Sequence, residues 1–186
     1  MTNFDIQLKN KNIPHTNINA SDWDFIYSIG GWEGEGSGGG SLLQNNIEFL
    51  NFLNSLKVSS ILDLGCGDLQ YITHLDNFNN IKYTGVDGSK VNVSKIQHRA
   101  NIIHDDILTF RTDIVYDLVL CKDVVQHIVG DKNKLHQLLE TIRSVRSNIK
   151  LIVTDNHLID HFKRENTVYT VFSYKCGHDL KVVVSV

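Results

Sequence analysis

A chain of 186 residues is long enough to bury one sizeable core, and no change of composition along it signals a second. With 41% hydrophobic and 21% charged residues and a formal charge of −3, it has a globular composition, and no basic field announces a nucleic-acid partner. No segment approaches the roughly 20 apolar residues needed to span a bilayer and no basic stretch leads into an apolar run at the start, so the expectation is a cytoplasmic protein with no membrane partner. Cys66, Cys121 and Cys176 are odd in number and widely spaced, which argues against a disulfide framework and a zinc site alike.

Residues 1–41 read as an N-terminal arm and loop, and residues 42–186 as a single domain. The arm begins polar and Asn-rich, passes an aromatic patch (Trp23, Phe25, Tyr27) and ends in Gly30-Gly31-Trp32-Glu33-Gly34-Glu35-Gly36-Ser37-Gly38-Gly39-Gly40-Ser41. So much glycine suits a linker, but a linker joins two domains and here only one follows; a loop folding over a ligand is the alternative. From Leu42 to Leu56, apolar residues at Leu43, Ile47, Leu50, Leu53 and Leu56 recur at helical steps.

Strand and helix signals then alternate. Ser60–Leu64, Ile81–Val86, Ile102–His104, Tyr116–Cys121 and Lys150–Thr154 read as strands, with helical stretches around Tyr71–Leu75, from a Ser89 cap to about Arg99, and through Leu135, Leu138, Leu139, Ile142 and Val145. Such alternation calls for right-handed crossovers and a parallel sheet with helices on both faces. Thr167–Tyr174 and Leu180–Val186 instead read as an antiparallel hairpin. The predicted fold class is α/β, Rossmann-like, with a seven-stranded, mostly parallel sheet.

In Asp63-Leu64-Gly65-Cys66-Gly67-Asp68 two glycines stand where a strand turns toward a helix, a place where positive φ and close backbone approach are useful. The nucleotide-binding GxGxxG is incomplete, because Gln70 occupies its third glycine position. Asp87, about 20 residues after Gly67, ends the second strand, where a carboxylate can accept from ribose hydroxyls. Asp106, after the third strand, offers an acceptor for an adenine amino group, with the following N–H donating to the ring; a solvated turn is its alternative reading.

DLGCG (Asp63 to Gly67), GVD (Gly85 to Asp87), DDIL (Asp105 to Leu108) and YDLVLCKDVVQHI (Tyr116 to Ile128) together resemble the successive motifs of class I S-adenosylmethionine-dependent methyltransferases. More narrowly, the Gly30–Ser41 stretch followed by GCGD and DVVQHI is similar to small methyltransferases found with glycan and polysaccharide biosynthesis genes. The resemblance implies S-adenosyl-L-methionine as cofactor, with Gly65 and Gly67 at its methionine end, Asp87 on the ribose and Asp106 with Ile107 at the adenine. It also implies that the glycine-rich loop, with Trp32 and Ser37, closes over the cofactor.

Two catalytic constellations compete after the fourth strand. If the turn there is helical, Asp123 and His127 share a face at i, i+4, giving a base (His127) and an orienting acid (Asp123). Alternatively Asp123, Asp155 and Asn156 are three oxygen donors at neighbouring strand ends, resembling the Mg²⁺ site of catechol-type O-methyltransferases, where the ion lowers the pKa of the acceptor hydroxyl. Lys122 and His157 are second-rank bases. The expected reaction is O-methylation of a sugar or glycan hydroxyl; a methyltransferase for another small metabolite, or a non-catalytic adenosine-binding module, are the alternatives. DNA amino-methylation lacks its Asn/Asp-Pro-Pro-aromatic stretch, since Pro14 is the only proline. With no inserted acceptor domain, the acceptor falls to the arm, the strand-end loops or a neighbouring subunit of a homo-oligomer.

Overall fold

The computed structural model describes residues 3–13, 16–30, 43–163, 169–176 and 179–186. Its helices are α1 (Asn3–Asn10), α2 (Ala20–Ser28), α3 (Ile47–Ser55), α4 (Lys90–Ile96), α5 (Lys132–Ser144) and α6 (Asp160–Lys163). Its strands are β1 (Ser60–Leu64), β2 (Lys82–Asp87), β3 (Asn101–His104), β4 (Tyr116–Lys122), β5 (Ser147–Asp155), β6 (Tyr169–Cys176) and β7 (Asp179–Ser185). They form one seven-stranded sheet in the order β3-β2-β1-β4-β5-β7-β6. The first five strands pair in parallel, and β7 runs antiparallel between β5 and β6. The predicted fold class holds.

Strand alternation divides the core into two layers. Leu62, Leu64, Val119, Cys121, Ile152, Val182 and Val184 face one side, where Leu135, Leu138, Leu139 and Ile142 of α5 cover them. Ile61, Leu118, Leu120, Leu151, Val153 and Val183 face the other, against Phe49, Leu50 and Leu53 of α3. The central strands are therefore apolar on both faces, as a parallel sheet requires.

The helices depart from expectation more than the strands. Leu43–Asn45 form a 3-10 turn and α3 begins only at Ile47, after the fully buried Asn46, so the helix predicted from Leu42 is shorter. The helical stretch around Tyr71–Leu75 is a single 3-10 turn, Ile72–His74. Ser89 caps α4 as expected, its side chain accepting from Asn92 N–H, but the helix stops at Ile96. The arm holds two helices that its composition did not announce. α2 starts with a reciprocal capping box between Asn19 and Asp22, a local hydrogen-bond device that needs no long apolar period. Among the described residues no helix is long and apolar enough to cross a membrane.

Candidate active site

The turn after β1 is shaped by its glycines. Gly65 sits at φ +78° and Gly67 at φ +56°, and the Gly65 and Cys66 N–H groups donate to Val86 O at 2.8 and 3.1 Å, tying the turn to the end of β2. A Cβ on Gly65 would collide with the Val124 side chain. Glycine is thus required there both by backbone conformation and by space.

Asp87 organises this turn. Its Oδ2 accepts from Gly67 N–H at 3.1 Å and its Oδ1 from Ser89 N–H at 2.8 Å, while Asn92 Nδ2 donates to Gly67 O at 2.9 Å. Burial pushes the Asp87 carboxyl above its ordinary pKa, and these donors pull the other way. The carboxylate lines the cavity described below, at a strand end where an acid suits a pair of ribose hydroxyls.

A cavity of about 810 Å³ opens along the carboxyl edge of the sheet, from Asp87, Asp106 and Ile107 at one end to Asp123, Asp155 and Lys181 at the other. Trp23 and Tyr27 of α2 line it as well. The α2 helix and the segment leading into it are held across this edge at two places. Asn17 N–H donates to His127 O at 2.6 Å, and Asp24 Oδ1 accepts from Ser89 Oγ at 2.7 Å and from Val91 N–H at 3.0 Å at the start of α4. The Trp23 ring meets the His127 ring edge-on, centroids 4.9 Å apart. Asp24 escaped the sequence reading, which noted Trp23 and Tyr27 only as part of an aromatic patch; the Asn19–Asp22 capping box just before them was the signal that could have placed them on a helix.

Of the residues nominated from sequence, Gly65, Gly67, Asp87, Asp106, Ile107, Asp123, His127 and Asp155 line this one cavity. Asp106 is exposed and its Oδ1 accepts from Leu108 N–H at 2.9 Å. Trp32 and Ser37 lie outside the described residues.

The helical i, i+4 arrangement of Asp123 and His127 does not form. Asp123 takes a left-handed conformation (φ +58°), and only Val125–His127 make a 3-10 turn. The Asp123 carboxylate faces two lysines instead: Lys122 on Oδ2, and Lys181 on Oδ1 at 2.7 Å. Burial alone would raise its pKa, but the two ammonium groups outweigh burial and hold it at about 2. Lys122 is likewise no free base, being buried, paired with Asp123 and stacked over the Tyr71 ring at 4.9 Å.

The magnesium set fails for a related reason. Lys181 Nζ donates to Asp155 Oδ1 at 2.6 Å as well as to Asp123, so an ammonium already lies between the two carboxylates. Asn156 is exposed and does not line the cavity, and neither does His157. Among the described residues no group of three or more His, Cys, Asp or Glu side chains is placed to hold a metal ion. The sequence reading missed Lys181, although a lone lysine beside the run Val182-Val183-Val184 was a visible irregularity.

Residues 61–148 match a family described as a methyltransferase domain. Those residues, a little under half of the chain, carry a methyltransferase domain. Its activity is therefore S-adenosylmethionine-dependent methyl transfer, and the glycine turn, the buried Asp87 and the cavity suit that cofactor. The methyltransferase domain also superposes on solved structures at low identity. The magnesium protoporphyrin IX methyltransferase of Synechocystis PCC 6803, with bound SAM, has a TM-score of 0.58 at 14% identity over 100% of this chain and 97% of that one. The N-methyltransferase NodS of Bradyrhizobium japonicum gives 0.57 at 14% identity over 76% of this chain and 96% of that one. The 16S rRNA methyltransferase RmtF, in complex with S-adenosyl-L-homocysteine, gives 0.61 at 16% identity over 78% and 63%. At such identities the likeness speaks for the fold. No curated protein matches the chain.

Proposed function

We propose that this methyltransferase acts on a hydroxyl of a sugar or glycan, in a cytoplasmic step of glycan biosynthesis. The observation that carries the reading is the character of the cavity end beyond the glycine turn. Lys122, Asp123, Asp155 and Lys181 place hydrogen-bonding groups of both signs there with charges that cancel, and the Trp23 ring lines the same cavity. Such a surface suits a neutral polyol, which offers donors, acceptors and a C–H face; it offers no basic track to a nucleic-acid backbone.

When bound, S-adenosylmethionine supplies a sulfonium-activated methyl group and departs as the neutral thioether S-adenosylhomocysteine. The protein's task is to hold the acceptor oxygen in line, which can account for roughly 7–11 kcal/mol of the barrier. Asp123, with its pKa near 2, stays a hydrogen-bond acceptor for the substrate and does not take the proton. His127, on the neighbouring turn and lining the same cavity, removes the hydroxyl proton as the O–CH₃ bond forms.

The test is a screen of nucleotide sugars, simple glycosides, catechols and amines with methyl-labelled cofactor, each with and without EDTA. Label on a glycoside hydroxyl, indifferent to EDTA, is the expected result. Transfer confined to amines, or to catechols and only with a divalent ion present, would overturn the reading.

A further inference from the structure

The acceptor end of the cavity contains a charge arrangement that stability does not explain. Lys181 is 5% exposed on β7, between strand neighbours that are mostly valine, and it stands in register with Asp155 across the β5–β7 pair. Buried ion pairs add little net stability over apolar residues of similar volume, because desolvation offsets their attraction. A fourth valine-like side chain would suit the strand better. Yet the lysine reaches the ends of two other strands at once, 2.7 Å from Asp123 and 2.6 Å from Asp155, and all three side chains line the cavity.

This placement fixes Asp123 in a particular way. Its two oxygens are engaged by different cations, Lys122 on one and Lys181 on the other, so the carboxylate plane cannot swing. Without Lys181 the group would hold two carboxylates against one ammonium, an uncompensated negative charge at neighbouring strand ends.

We propose that Lys181 is the positioning residue of the acceptor end: an internal cation, held between Asp123 and Asp155 where a divalent ion would otherwise join them, that aims Asp123 at the substrate. The proposal rests on the reading of the cavity as the methyl-transfer site. It makes the enzyme indifferent to metals through one side chain, and removal of that side chain uncovers a latent cation site.

Wild type, Lys181→Met and Lys181→Arg are compared as full chains, by calorimetry with S-adenosylhomocysteine, by calorimetry with MnCl₂, and by kinetics on the acceptor found in the screen above. Lys181→Met should bind S-adenosylhomocysteine like wild type, should bind Mn²⁺ where wild type does not, and should raise the acceptor KM roughly 10–100-fold with cofactor KM unmoved. Lys181→Arg should restore the acceptor KM and abolish the Mn²⁺ binding. If Lys181→Met fails to fold, Lys181→Gln, whose amide can still donate to the carboxylates, is read by the same measurements. An unchanged acceptor KM in the folded neutral variant, or Mn²⁺ binding by wild type as tight as by that variant, overturns the proposal. Failure of wild type to bind S-adenosylhomocysteine falls instead on the methyltransferase reading, so the two failures are distinguishable.

Discussion

Asp87 and Asp63 are both buried carboxylates, one bonded to the glycine turn and the other two residues before it, yet they are expected to behave differently. Asp87 is satisfied by backbone donors and faces the cavity, so Asp87→Ala should weaken S-adenosylhomocysteine binding by about 1–3 kcal/mol, measured by calorimetry; unchanged affinity in the folded variant would remove it from the site. Asp63 accepts from Tyr83 OH at 2.7 Å, and burial raises its pKa to about 7 against the pull of Tyr83 and Lys122. A carboxyl whose pKa is raised by folding binds more protons folded than unfolded between the two values. Stability from this residue should therefore fall as pH rises from about 4 to about 7. Wild type should lose stability relative to Asp63→Asn across that window in denaturant titrations; parallel curves would contradict it. His127→Ala should lower turnover by about 10²–10⁴-fold with cofactor affinity nearly intact, and an undiminished rate would deny it the role of base. Asp87 and the glycines were legible in the sequence because motif and strand end coincide. The Asp123 pairing was not, since its partner Lys181 lies 58 residues away on a strand whose insertion point no local pattern fixes.

Among the elements, α2 carries most of what the sequence left unread. Asp24 ties it to the N-terminus of α4, a capping contact supplied from another element. Asp24→Ala should cost about 0.5–2 kcal/mol of stability, the range for a lost helix cap, and should weaken S-adenosylhomocysteine binding because Trp23 and Tyr27 line the cavity from the same helix. Stability lost with binding unaltered would show that α2 braces the fold without contributing to the site. The strands were readable because each is a short apolar run between turn residues, and their ends differ from expectation by only a few positions. The helices were less readable where tertiary packing overrides periodicity. Ile72–His74 keeps apolar residues for the core, yet its positive-φ neighbour Leu69 (φ +64°) and the short span to β2 leave room for 3-10 turns only.

For the whole molecule, the sheet order places β1 between β2 and β4, and the cavity opens at the carboxyl ends of these central strands, where the connections part to opposite sides. A ligand held along that edge touches the ends of several strands at once, so S-adenosylhomocysteine should raise the melting temperature in proportion to the logarithm of its concentration, while NAD should not. Equal shifts with both would indicate a general nucleotide site. The alternation of strands and helices made this architecture legible. Neither the α2 side chains that line the cavity nor its internal cation was, because both depend on side chains meeting across the sheet edge. The placement of Lys181 on β7 also bears on how the sheet reaches a single pairing. Three consecutive valines, Val182 to Val184, are nearly interchangeable, so hydrophobicity alone discriminates weakly between β7 in its native alignment and one shifted by a residue. A one-residue slip would carry the ammonium to the opposite face of the sheet, among the apolar side chains of a helical layer, and would leave Asp123 and Asp155 repelling each other. The same contact that aims the carboxylate therefore acts as a registration pin, penalising every misaligned hairpin by an unpaired charge on each side.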